Sequence, residues 1–214
     1  MDASGKPGRD KGQAFPIYVV VVAGLLFAAL AFFAIGQSSV RRSDAQGAAD
    51  AAALAAGREA RDRVLLGLDL AALKPADWQK IANGDFFEAG GACAAAETFA
   101  AKNDAKATGC DASRVPRFTV TVETNGTVGD SVIPGTGSMH ATAAATALIE
   151  PRCQIGVVDE PASTSTPGAE LPAPTPTPPT VHFSCNGKPV DFDPLKPGSL
   201  SALTKNLFSV RLVG

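Results

Sequence analysis

Large rings and histidine are nearly missing from this chain: one Trp, one Tyr and two His in 214 residues. Much of the hydrophobic fraction is alanine instead, which buries little area per residue, so no large single core is expected and any folded part should be small and modestly stable. His140 and His182 have no second histidine at ligand spacing and no nearby cysteine pair, and there is no CxxC, so neither a zinc site nor a thioredoxin-like site is supported. Each histidine reads as an ordinary strand residue. Asp191 and Asp193 alternate beside Pro194, and a solvated turn explains them better than a calcium site does. There is no GxSxG elbow, no P-loop and no GxGxxG between a strand and a helix, so catalysis has no named residue to stand on and no cofactor is expected. A basic excess is missing too. The formal net charge of -2 offers no field that draws nucleic acid.

Charge is also absent from one long stretch. Between Ala14 and Val40 the only ionisable side chain is Tyr18, and Ile17–Phe27 is almost continuously lipophilic. At about 1.5 Å per residue, roughly twenty such residues cross a hydrocarbon layer of about 30 Å, so Ala14–Gly36 is long enough to span a bilayer. A cleavable signal would have a shorter apolar run and a small-residue cleavage box soon after it, which favours a retained anchor. Lys6, Arg9 and Lys11 precede the span while Arg41 and Arg42 follow it, so the positive-inside rule is nearly balanced. The basic, flexible head, together with the cysteines and prolines that follow the span, favours a cytoplasmic N-terminus.

Cysteine is lacking before the span, and all four lie after it: Cys93, Cys110, Cys153 and Cys185. That asymmetry points to an oxidising outer compartment, where disulfides offset a thin core. Three connectivities are open. Local pairing of Cys93 with Cys110 and Cys153 with Cys185 is preferred, since each bridge closes one loop. The second would tie together the ends of the proline-rich stretch from Glu160 to Thr180, which cannot form a core and reads as an extended loop.

Proline is absent from Ser43 to Arg63, where helix propensity is high. The membrane helix is expected to continue through it and to end near Leu68–Leu73, before Lys74-Pro75. Ala45, Ala49, Ala52, Ala56 and Ala60 fall on one side of a helical wheel, with Asp44, Asp50, Arg58 and Arg61 opposite. This smooth face suits close helix packing, within the chain or by self-association between copies; the alternative is a solvated spacer. Trp78, Ile81, Phe86 and Phe87 are candidates for a first core layer. One short helix is expected between Cys93 and Cys110. Phe118, Val120 and Val122 alternate with polar residues in a strand that Asn125-Gly126 would end. Ser138–Glu150 reads as a second strand, with helix not separable by pattern alone. Val181–Ser184, Pro189–Phe192 and Phe208–Val213 read as three more.

The segment Lys11-Gly12-Gln13-Ala14-Phe15-Pro16-Ile17-Tyr18, the apolar run after it and the stretch Gln46–Ala56 together resemble the TadE/TadG-like proteins of bacterial Flp (Tad) pilus systems. The resemblance covers roughly the first sixty residues. It implies a non-catalytic envelope component with a pilin-like first helix, whose partners are the lipid bilayer and other pilus-assembly or envelope proteins. Prepilin peptidases of such systems cut after a glycine and want glutamate at the fifth mature position. Counted from Gln13 that position is Ile17, which favours the uncut TadG-like branch. The resulting expectation is an α+β chain: a cytoplasmic basic head (1–13), a transmembrane helix (14–36), an alanine-rich helical extension (37–73) and an extracytoplasmic disulfide-bonded domain (74–214), mainly antiparallel β, with its Pro-rich loop at 160–180. A membrane-tethered extracytoplasmic sensor or binding module is the competing class.

Overall fold

A computed structural model describes residues 14–127, 136–158 and 180–214; the basic head and the Pro-rich stretch up to Pro179 lie outside the described residues. Helix α1 runs without interruption from Ala14 to Arg63, fifty residues. It ends short of Leu68–Leu73. Gly67 has φ +81°, and turns there carry Val64, Leu65 and Leu70 back into the core, a gain in burial that a straight helix would forgo. Lys74-Pro75 does not stop a helix but starts one. Helix α2 (Pro75–Asn83) places Pro75 at its first turn, where a missing N–H costs nothing, and the Lys74 backbone N–H donates to Asp77 Oδ2 at 3.2 Å.

Helix α3 (Ala92–Lys102) is the short helix expected after Cys93. It leads into β1 (Ala105–Asp111), a strand that the alanine- and lysine-containing sequence did not announce. Strand β2 spans Arg117–Thr127 and runs through Asn125-Gly126 rather than stopping there, with an irregular register between Glu123 and Thr127. Strand β3 (His140–Pro151) follows a single 3-10 turn at Thr136–Ser138. Then come β4 (Cys153–Val158), β5 (Val181–Cys185), β6 (Lys188–Phe192), helix α4 (Leu200–Leu207) and β7 (Phe208–Val213). All strand pairings are antiparallel. One sheet has the order β1-β2-β3-β7 and the other β4-β5-β6. The chain passes between them at Pro151-Arg152, where the Arg152 N–H leaves the ladder for the Leu207 carbonyl at 2.8 Å.

The core lies between the four-stranded sheet and the C-terminal half of α1. Phe118, Val120 and Val122 of β2, with Ala145, Ala147 and Ile149 of β3, supply the buried face of the period-2 alternation. Helix α3 lies along α1 and beside β1. The second sheet packs on α2 through Trp78, whose ring meets Phe183 and Phe192 edge-on at centroid distances of 6.1 and 5.5 Å. Phe87 meets Phe208 at 4.7 Å in the same manner and joins that layer to β7. The architecture is thus α+β with a long first helix and a small antiparallel domain.

Candidate functional site

Helix α1 divides by environment. From Phe15 to Phe33 it is long and apolar enough to cross a membrane, and none of that stretch is buried by the protein. Phe15, Val20, Leu25, Phe27 and Phe32 all stand exposed, an arrangement consistent with a membrane anchor. From Ala45 onward one face of the same helix is enclosed. Ala45, Ala49, Ala52, Ala56 and Ala60 are each 0% exposed, and they face elements of their own chain: α3, β2, β3 and β7. Methyl side chains let the sheet come close, and at Gly57 even a methyl is too much. A Cβ there would lie 2.8 Å from Val210 Cγ1. Arg58 points to solvent, while Arg61 pairs with Asp62 at 2.8 Å. Asp62 also accepts from the fully buried Thr204 hydroxyl at 3.4 Å, which ties α4 to the end of α1.

Between the two halves lies a junction at Arg41–Asp44. A cavity of about 390 Å³ opens there, lined among others by Arg41, Asp44, Asn103, Asp104, Thr124 and Gly126. Arg41 reaches under the end of β2, so close that a Cβ on Gly126 would sit 3.1 Å from its Nη1. It forms a long, exposed ion pair with Asp44, Nη1 to Oδ2 at 3.8 Å. Asp104 holds a left-handed backbone at φ +52°, and its Oδ1 accepts from Asn125 Nδ2 at 3.1 Å. Sequence reasoning passed over Asn103 and Asp104 because they fall inside the loop between two cysteines. The signal was present nonetheless: an Asn-Asp step tolerates the left-handed turn that ends α3.

The two bridges are Cys93–Cys110, joining α3 to β1, and Cys153–Cys185, joining β4 to β5. The second pair is directly opposed in the β4–β5 ladder. The histidines go to separate places. His140 Nδ1 lies 2.8 Å from the Thr124 carbonyl, and His182 Nδ1 lies 2.7 Å from Asp191 Oδ1. Asp193 does not join Asp191: its Oδ1 accepts the Leu195 N–H at 2.8 Å and closes a turn. Among the described residues no group of three His, Cys, Asp or Glu could hold a metal ion.

On the outer face of the four-stranded sheet, Arg211 makes a two-pronged contact with Glu150, both N···O distances being 2.6 Å. Hydrogen bonding to Arg211 holds the Glu150 carboxyl below its ordinary value, and the same contact raises Arg211.

No curated protein and no solved structure matches the chain. Residues 12–62 match a family model described as "Putative Flp pilus-assembly TadE/G-like". That segment covers the whole exposed apolar half of α1, the junction and the alanine face up to Asp62, and over it the chain is similar to that family.

Proposed function

We propose that this chain is a non-catalytic membrane-anchored envelope protein that contributes to assembly of a Flp (Tad) pilus or a related secretion machine. Residues 1–13 are cytoplasmic and the disulfide-bonded domain faces the outside. One observation carries the reading: a single unbroken helix is bare and apolar for its first half and alanine-faced and buried for its second, and the TadE/G-like match ends with it. Two disulfides beyond the span support an oxidising compartment for the domain. The alanine face is filled by the chain's own elements, which leaves contact between copies to the membrane half. Gly24 and Ala28 keep small-xxx-small spacing there, with open space around Gly24.

The test is affinity capture of the full chain from solubilised membranes of cells that express the pilus system. Pilus-assembly proteins are expected among the captured chains, and their consistent absence counts against the assembly role. Intact mass of the same material is expected to begin at Met1; a mass beginning at Gln13 would place the chain in the processed branch.

A further inference from the structure

Backbone hydrogen bonding leaves one side of β7 with nothing to pair to. The Ile149 N–H turns toward β2, where it donates to the Pro116 carbonyl at 3.1 Å, so Leu148 and Glu150 on either side of it turn toward β7. Their cross-strand partners, Arg211 and Ser209, turn back toward β3. Val210 and Leu212 therefore point their N–H and C=O groups away from the sheet. Strand β7 is last in the order β1-β2-β3-β7, and among the described residues nothing hydrogen-bonds the Val210 or Leu212 backbone on that side.

Other edge strands carry features that deter pairing. Strand β1 has Lys106 and a register break between Ala107 and Gly109, β4 has a break between Ile155 and Val158, and β6 has Lys188 and Pro189. Strand β7 keeps its register unbroken opposite Thr146–Pro151 and contains neither proline nor glycine. Its one charge, Arg211, lies on the outer face of the sheet and is taken up by Glu150. On the inner face Leu212 is 37% exposed, although its cross-strand partner Ala147 is fully buried. Leu212 also borders a cavity of about 370 Å³ together with Gln46 and Asp50. Asp50 accepts from Gln46 Nε2 at 2.8 Å and has no ion-pair partner among the described residues.

We propose that β7 is a docking edge for an extended segment of a partner assembly protein, which adds a fifth strand to the four-stranded sheet. Outward N–H and C=O groups in strand register recognise main chain in the extended form; a helix has already spent its own and cannot use them. Side chains narrow the choice. An apolar residue facing inward covers Leu212, and a lysine or arginine farther along the segment answers Asp50. The proposal rests on the assembly reading and adds to it the way in which the partner holds the domain.

The experiment places the full chain in lipid nanodiscs and adds a short acetylated and amidated peptide that alternates valine with threonine and ends in arginine. Hydrogen exchange is read residue by residue. In the free chain the Val210 and Leu212 amides should exchange fast and the Arg211 amide, bonded to β3, slowly. The peptide should slow Val210 and Leu212 about tenfold, the worth of one hydrogen bond. A twin N-methylated along its backbone should leave them fast. Leu212→Pro removes an N–H that the fold does not use, on an edge where proline is tolerated, so this variant should keep its unfolding midpoint and both bridges while losing the peptide. Leu212→Thr keeps the N–H and should still bind, and Asp50→Asn should weaken binding about threefold. No protection by the peptide, equal protection by its methylated twin, or unchanged binding to Leu212→Pro overturns the docking edge. Loss of binding in Leu212→Thr as complete as in Leu212→Pro overturns recognition through the backbone. Slow exchange of Val210 and Leu212 without peptide, accompanied by a dimer mass, gives the edge to a second copy and overturns the partner. Capture of assembly proteins by Leu212→Pro at the native level overturns strand docking and leaves the assembly reading intact, whereas their absence from the native capture overturns both.

Discussion

Gly57 and Gly47 sit ten residues apart on one helix and should respond oppositely to the same methyl group. At Gly57 an added Cβ collides with Val210 Cγ1 at 2.8 Å, and a β-branched valine packed on the helix cannot swing clear. Overpacking of this kind costs about 1–3 kcal/mol, against a helix-propensity gain of at most about 1 kcal/mol. Gly57→Ala should therefore lower stability in urea unfolding, and adding Val210→Ala should recover part of the loss. At Gly47 no atom lies within 4 Å, so Gly47→Ala should stabilise by about 0.5–1 kcal/mol. A different residue-scale response comes from Glu150. Its carboxyl is held below the ordinary value of 4.5 by Arg211, so its contribution to stability is complete above about that pH and is lost as pH falls through the lowered value. Stability curves of the native chain and Glu150→Gln, measured against pH, should run apart at neutral pH and converge on the acid side.

At the scale of elements, the bridges replace core that alanine cannot supply. Closing loops of 17 and 32 residues corresponds to about 3 and about 4 kcal/mol of stability through restriction of the unfolded chain. Paired serine replacements at Cys93/Cys110 and at Cys153/Cys185 should cost amounts of that order, with the larger loss at the second pair; alkylation of the native chain without reductant should label no cysteine. Several elements were legible in the residues. The alternation of Phe118, Val120 and Val122 marks β2, and Val181–Ser184, Pro189–Phe192 and Phe208–Val213 mark β5, β6 and β7. Others left little trace. Strand β1 is made of Ala, Lys, Thr and Gly, a composition that does not distinguish it from the helix before it, and its strand form comes from pairing with β2. Helix α4 is too short for its periodicity to stand out, although Ser199, whose Oγ accepts the Ala202 N–H at 3.3 Å, is an ordinary N-cap signal. The end of α1 was misplaced because propensity continues past Arg63, while the turn at Gly67 answers to burial of Val64, Leu65 and Leu70. The junction cavity was illegible for a related reason: Arg41, Asp44 and Asp104 meet only once α3, β2 and α1 converge.

For the whole molecule, one consequence follows from α1 serving two media with one continuous backbone. Folding of the domain needs the helix only from Ala45, where burial begins, whereas holding the domain at a set height and angle needs the helix between Phe33 and Arg41 as well. Those demands are separable at Ser39, an exposed residue of that connecting stretch. Ser39→Pro removes a backbone hydrogen bond and clashes one turn back, at a local cost of about 3 kcal/mol, enough to kink or break the helix there. Because Ser39 belongs to neither the core nor a disulfide, the domain should keep its thermal unfolding midpoint and both bridges. Distances from a probe on the domain to the bilayer surface, read by spin-label or fluorescence measurements, should broaden markedly in the variant. Capture of pilus-assembly proteins should fall with them if assembly reads the domain at a fixed height. A variant whose distances broaden while capture stays at the native level would show that α1 acts as a tether, and that the rod-like continuity of its two halves is not what the partners use.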